Sequence, residues 1–213
     1  MKPAVQDVLF DVDGVLIHGY HHNPEKSICW DKNLEKDLKI CKETFTEKFI
    51  FGVFTREVIV GKKNLYDALE EFLPTIGFNQ GPQLVIDYWL ENDANINYEL
   101  LEKIKLLQRV PNIRLHIATN QEHNRAKYLM ETLGFNKHFS NIFHSAEIGY
   151  RKPNPLYFVN VHQRLGAPVT PPIFFDDTPE VVESAKKFGW HAFVYNDVKD
   201  IFQSTFISTL IQE

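Results

Sequence analysis

The run Val5-Gln6-Asp7-Val8-Leu9-Phe10-Asp11-Val12-Asp13-Gly14 decides how the rest of the chain is read. Residues 5–10 are biased to apolar side chains and stop abruptly at two carboxylates and a glycine. A short apolar run bounded by polar or turn residues is the pattern of a strand buried on both faces, as in a parallel sheet covered by helices. Similar runs recur at residues 113–118, 173–175 and 192–195. Between them the period becomes helical. Ala126, Leu129, Met130 and Leu133 share a face before Gly134, and Val181, Val182, Ala185 and Phe188 do so before Gly189. Tyr157, Val161 and Leu165 form a third such face, which Pro153 opens at the first turn and Gly166 closes. Strand and helix in alternation predict an α/β fold, a Rossmann-like doubly wound parallel sheet with right-handed crossovers.

The segment after the first strand breaks this alternation. Leu34, Leu38, Cys41, Phe45 and Phe49 make one apolar stripe at helical spacing. Leu65, Ala68, Leu69 and Phe72 make a second, closed by Pro74 and Gly77, and Pro82 opens a third with Val85, Tyr88 and Trp89. No strand-like run interrupts them. The expected organisation is an α/β core of residues 1–18 and 95–213, with an all-helical cap of roughly four short helices inserted as residues 19–94. Asn92-Asp93-Ala94-Asn95 is the return linker, after which Leu100, Leu101, Ile104 and Leu107 begin the next core helix.

Composition narrows the function. With 23 Lys plus Arg against 28 Asp plus Glu, the net charge is −5, and no basic block offsets it, which argues against nucleic acid or an anionic membrane as partner. No apolar run approaches the roughly 20 residues of a membrane span. Asp7 and Asp11 inside the first apolar segment are wrong for a signal peptide. Cys29 and Cys41 are too few and too far apart for a zinc site, so idle thiols in a cytoplasmic protein are expected.

In an open α/β sheet, ligands bind at the carboxyl ends of the strands, near the point where strand order reverses. The first strand delivers Asp11 and Asp13 there, the second Thr119 and Asn120, and the strand at 173–175 Asp176 and Asp177; Lys152 stands just before the Pro153 helix. Clustered carboxylates repel one another unless a cation joins them. Oxygen donors without cysteine favour Mg²⁺ over zinc. Such a cation keeps positions open for a phosphate, which Lys152 and the Thr119 hydroxyl can also hold. A carboxylate nucleophile forming an aspartyl-phosphate is then chemically reasonable. Asp13, beyond a sharp turn at Gly14, can serve the leaving oxygen as acid and the following water as base.

Asp11-Val12-Asp13-Gly14-Val15 resembles the first motif of the haloacid dehalogenase superfamily, Ala118-Thr119-Asn120 its second, Gly149-Tyr150-Arg151-Lys152-Pro153 its third and Phe174-Phe175-Asp176-Asp177 its fourth. All four stand in family order, and the helical insert resembles the first cap type. The details of the third and fourth motifs resemble the subgroup of glucose-1-phosphate phosphatases and the phosphatase domain of soluble epoxide hydrolases. This resemblance implies a Mg²⁺-dependent phosphatase acting on a small phosphomonoester, a sugar phosphate or similar metabolite. Asp11 would be nucleophile and metal ligand, and Asp13 acid/base with its backbone carbonyl on the metal. Thr119 and Asn120 would bind the phosphoryl group, Lys152 would steady both it and Asp11, and Asp177 would ligate Mg²⁺ with Asp176 in support. Val181 departs from the subgroup, which often has Asn there, and this puts support of the metal loop in doubt.

The alternatives within the family are a phosphomutase, which needs the same residues, and a 2-haloacid dehalogenase, which dispenses with the second Asp and with Mg²⁺. A catalytically silent binding or regulatory protein is the alternative outside catalysis. Elsewhere, His18, His21 and His22 are read as solvated residues of the loop leading into the insert, with substrate contact or metal ligation as the alternatives, His116 as a packed core histidine, and Trp30, Tyr88 and Trp89 as cap core. His144 and Ser145 lack a third partner for nucleophilic catalysis. Neither the substrate nor the oligomeric state is legible.

Overall fold

The computed structural model describes residues 5–211. Its centre is a parallel sheet of five strands: β1 (Gln6–Phe10), β2 (Ile113–Thr119), β3 (Asn141–His144), β4 (Ile173–Asp176) and β5 (His191–Val194), in the order β3-β2-β1-β4-β5. The chain runs from β1 outward through β2 to β3 and then crosses to the other side of β1 for β4 and β5. The reversal lies between β1 and β4, paired with Phe10 opposite Phe175, so the residues that follow each strand emerge side by side.

Alternation of side chains builds two cores. Val8, Phe10, Leu115, Ile117, Ile173 and Phe175 face one way, against Leu100, Ile104 and Leu107 of the helix Tyr98–Leu107 and against Leu129 and Ile201. Leu9, Phe174 and Ala192 face the other, against Tyr157, Phe158 and Val161 of the helix Pro155–Arg164 and Val182 and Ala185 of the helix Pro179–Phe188. Phe10, Phe175 and Phe193 stack in sequence with centroids 5.3 and 5.5 Å apart. Burial of this kind is the main force holding a sheet between two helical layers.

Three local expectations need correction. The sequence reading has no strand where the edge strand β3 lies, because its terminal Asn141 and His144 leave only two apolar residues between them, too few to read as a buried strand. The helix after Lys152 begins at Pro155, not Pro153, because the Asn154 side chain accepts the Leu156 N–H and so caps it. The single stripe from Leu34 to Phe49 is two helical segments. Lys39 turns left-handed at φ 59° and ends Leu34–Leu38, and Cys41, exposed like Cys29, starts the next turn.

Between residues 18 and 95 all the elements are helical. The stretch Phe45–Val58 breaks at Gly52 (φ −90°, ψ −117°), and Leu65–Phe72 and Pro82–Asn92 follow. Leu34, Phe45, Phe49, Leu69, Val85 and Ile86 form a core of their own. The two connections to the sheet run together: His18 N–H donates to Asn95 O at 2.7 Å, and Ile17 and Ile96 form an antiparallel bridge. At the far side the helical unit rests on the sheet domain. Ser145 Oγ donates to Ile59 O at 2.5 Å, and Gly61 lies so close to Ala146 O that a Cβ would sit 2.1 Å from it. Ser145 thus has a docking contact in place of a catalytic one. Residues 1–4 and 212–213 of the expected core lie outside the described residues. Among the described residues no helix is long and apolar enough to cross a membrane.

Candidate active site

Asp11 follows β1 and is buried at the sheet's reversal point, where its Oδ1 accepts the N–H of Val12 at 2.7 Å. Lys152 Nζ lies 2.9 Å from the same oxygen and 2.6 Å from Asp176 Oδ2, and it donates to Ala118 O at 2.8 Å. All three ammonium protons therefore have partners. Burial alone would pull the Lys152 pKa down, but Asp11 and Asp176 carry it above the usual lysine value. Asn120 fixes the lysine's backbone from both sides, its Oδ1 accepting the Lys152 N–H at 2.8 Å and its Nδ2 donating to Lys152 O at 3.0 Å. The side-chain amide of Asn120 thus joins the second motif to the third. Thr119, buried at the end of β2, lines a cavity of about 190 Å³ with Asp11, Asp13, Asp177 and Thr178.

Asp177 is held from three directions. Its Oδ2 accepts the His22 N–H at 2.5 Å, its Oδ1 accepts the Thr178 hydroxyl at 3.0 Å, and Gly14 (φ +75°) leaves room that a Cβ would take 2.6 Å from Oδ2. His21 Nδ1 stands 3.5 Å from the same oxygen, yet it accepts the Asn23 N–H and its pKa is lowered, chiefly by burial. His21 is therefore a neutral neighbour and no counter-ion. Val181, where the subgroup often has Asn, packs in the apolar cluster with Leu9 and Val182 and takes no part in this support.

One oxygen from each of Asp11, Asp176 and Asp177 lies within 4.8 Å of the others, and all three residues are buried. Three carboxylates face one ammonium, leaving excess negative charge in a dry place. Burial, with Asp11 adding to it, raises the pKa of Asp177, and burial raises that of Asp176 to about 8 despite Lys152. A hard divalent cation with oxygen ligands fits this donor set and would relieve the excess. Asp176 spends one oxygen on Lys152 and the other on the Thr178 N–H, as Asp177 spends its two on the His22 N–H and the Thr178 hydroxyl. Asp13 stands outside this cluster.

Asp13 turns instead toward the helical unit. Its Oδ2 accepts Gln121 Nε2 at 2.6 Å, while its Oδ1 has no hydrogen-bond partner among the described residues. Burial first, then Asp93 and Asp11, push its pKa up to about 7, against the pull of Arg125. Such a carboxyl can hold a proton at neutral pH and give it up, as an acid/base requires. Arg125 is wholly buried. Its Nη2 lies 3.0 Å from Asp93 Oδ2 and 3.9 Å from Asp13 Oδ1, and its guanidinium sits 5.6 Å from the Trp89 ring centre. Reading the sequence missed Arg125 and Gln121; their only local signal is position, a few residues beyond the second strand's Thr119.

Known proteins share the sequence pattern and fold of this chain. The profile of the haloacid dehalogenase-like hydrolases matches residues 8–189, from β1 to the end of the helix that follows β4. A phosphorylated carbohydrates phosphatase of Thermotoga maritima is 25 % identical over 195 residues, covering 87 % of this chain and 82 % of its own. Two solved structures share the fold. One is a predicted HAD-like family hydrolase of Porphyromonas gingivalis (TM-score 0.73, 23 % identity, 99 % of this chain and 100 % of the other). The other is a HAD family enzyme of Bacteroides thetaiotaomicron in a magnesium complex (TM-score 0.68, 18 % identity, 91 % and 94 %). Since the match runs through all four segments that meet at Asp11, the chain belongs to the haloacid dehalogenase-like hydrolases.

Proposed function

We propose that this hydrolase is a Mg²⁺-dependent phosphatase of small phosphorylated metabolites, and that it works through a phosphoryl group carried on Asp11. The observation that carries the reading is the convergence on Asp11 of a buried ammonium, two further carboxylates and, outside them, a carboxyl poised near neutrality. The T. maritima relative, a phosphatase, supports the reaction class. The presence of Asp13 beside Asp11 favours it over 2-haloacid dehalogenation. No feature favours a phosphomutase. The helical unit of residues 19–94 acts as the cap over this site, and the two exposed free thiols accord with a cytoplasmic setting.

When bound by Asp11 and Asp177, with Asp176 behind them and the Asp13 carbonyl completing the protein's share, Mg²⁺ would supply positive charge beside the phosphate oxygens. The chain's own groups do the rest. Asp11 attacks phosphorus while Lys152, 2.9 Å from its Oδ1, holds its carboxylate aimed. Thr119 and the Asn120 backbone N–H receive the phosphoryl oxygens. Asp13 gives its proton to the leaving alkoxide and then takes one from the water that attacks phosphorus and frees Asp11, so inorganic phosphate and an alcohol leave and the enzyme is unchanged.

The test is hydrolysis of p-nitrophenyl phosphate by the purified protein. Turnover should stop with excess chelator and return with Mg²⁺. Turnover undiminished by chelator, or none with Mg²⁺ on any phosphate ester, would contradict the proposal.

A further inference from the structure

From the mouth formed by Asp13, Asn120 and Gln121, a cavity of about 230 Å³ runs into the helical unit. Its walls are Trp30, Phe49, Phe54, Leu69, Ile86 and Trp89. The rings brace one another: Trp30 and Trp89 lie 6.3 Å apart, Phe54 and Trp89 6.0 Å, and Phe49 and Phe54 6.0 Å. Such a wall has little freedom left to lose on binding.

Apart from Asp13 Oδ1, which lies at the reacting end, the amides and the carboxylate along the mouth are largely engaged by the protein. Both ends of the Asn120 amide hold Lys152, Gln121 Nε2 holds Asp13, and Asp93 Oδ2 takes the Trp89 N–H at 3.1 Å as well as Arg125. The Trp89 N–H therefore faces a residue and not the cavity. A group entering here meets carbon on nearly every side. A sugar ring would bring several hydroxyls into it without partners, each costing about tenfold or more in binding. An alkyl or aryl group would leave water for a matching surface, gaining about fourfold per methylene.

Resting on the phosphatase reading above, we propose that the substrate is the phosphomonoester of an apolar alcohol, whose hydrocarbon part fills this cavity while its phosphate lies at Asp11. Asp13 stands where the two parts join, between the cavity and the carboxylate cluster, as the leaving oxygen requires. The cap thus selects by excluding polyols as much as by holding hydrocarbon.

The experiment uses the full chain with Mg²⁺ and n-alkyl phosphates from methyl to hexyl, with glucose 6-phosphate alongside. kcat/KM should rise about fourfold per methylene until the cavity is full, with glucose 6-phosphate no better than the methyl ester. A flat series, or glucose 6-phosphate turned over better than the hexyl ester, overturns the proposal. Binding of n-alkylphosphonates, followed by the fluorescence of Trp30 and Trp89, separates the two levels. Affinity that rises with chain length while no ester is hydrolysed keeps the apolar pocket and sinks the phosphatase reading. Affinity indifferent to chain length sinks the pocket. Ile86→Trp, or Val85→Met if that variant does not fold, should flatten the series by filling the cavity, and an unchanged slope in a folded variant also counts against it.

Discussion

Replacing Gly14 with alanine puts a methyl group where the Asp177 carboxylate already is. At φ +75° the added Cβ would lie 2.6 Å from Oδ2 and 2.8 Å from Cγ, whereas ordinary contacts start at 3.4 Å. The carboxylate must shift by most of an ångström, which disturbs its hydrogen bond from the His22 N–H. Two costs follow, and they separate. The left-handed backbone costs about 1–2 kcal/mol for any residue with a Cβ, which lowers Tm by about 2–8 °C in a chain of this size. The clash adds a displaced metal donor, worth about tenfold or more in Mg²⁺ affinity on the scale seen when partners of ligands are removed. Gly77 supplies the control, since its φ of +78° is nearly the same but nothing lies within 4 Å of its would-be Cβ. Gly77→Ala should therefore show the loss in Tm with unchanged half-saturation by Mg²⁺, and Gly14→Ala should show both. The assays are thermal melts in chelator and Mg²⁺ titration of aryl phosphate turnover. A Gly14→Ala protein with wild-type Mg²⁺ half-saturation would refute the placement of Asp177 at the metal.

Three further outcomes follow from the carboxylates. Asp13→Asn should slow release of the first equivalent of alcohol from an alkyl phosphate by about 10²–10⁴-fold and that of phenol from an aryl ester less, because a good leaving group needs less protonation; equal losses in this step would remove the acid role. Since Asp13 is raised to about 7, its proton is present below that value and lost as pH rises through it, so alkyl ester turnover should decline there, or at somewhat lower pH with the cation bound, while aryl turnover holds. Asp7, buried in β1, is held below the usual carboxylate range: burial opposes this, but hydrogen bonds from His116 at 3.0 Å and Arg114 at 2.8 and 2.9 Å outweigh it. Its contribution is therefore complete above the unfolded value and lost as pH falls through the lower folded one. Asp7→Asn should cost about 1–3 kcal/mol at neutral pH, flatten the acid limb of stability and leave kcat alone; an unchanged melting curve at both pH values would contradict it.

The meeting of Asp11, Thr119, Lys152 and Asp176 was legible because strand ends in a parallel sheet bring distant sequence to one rim. Apolar runs before Asp11, Thr119 and Asp176 placed these residues without any knowledge of pairing, and Lys152 joined them through the motif it closes. His116 was read correctly as a packed histidine, though its partner Asp7 was not foreseen. What stayed hidden has no local period. Arg125 sits beside Ala126 in an ordinary helical pattern, and its pairing with Asp93, across 32 residues, exists only once the insert folds back. Asp93 read as linker for the same reason. The break at Lys39 was masked because neither Gly nor Pro marks it, and β3 because an edge strand need bury only part of its surface. Trp30 and Trp89 were read as cap core, and they are packed together, but the same packing leaves the cavity whose walls they form.

The claim on which the rest depends is that Asp11 becomes phosphorylated. Acid quench of the wild-type protein during turnover of an alkyl or aryl phosphate with Mg²⁺, followed by mass spectrometry of its peptides, tests this directly. A phosphoryl group should appear on the peptide carrying Asp11, should accumulate further in Asp13→Asn as water attack slows, and should be missing from Asp11→Asn, which should not turn over. Steady turnover with no phosphoryl group on that peptide in either wild type or Asp13→Asn, or near-normal activity of Asp11→Asn, would contradict the mechanism.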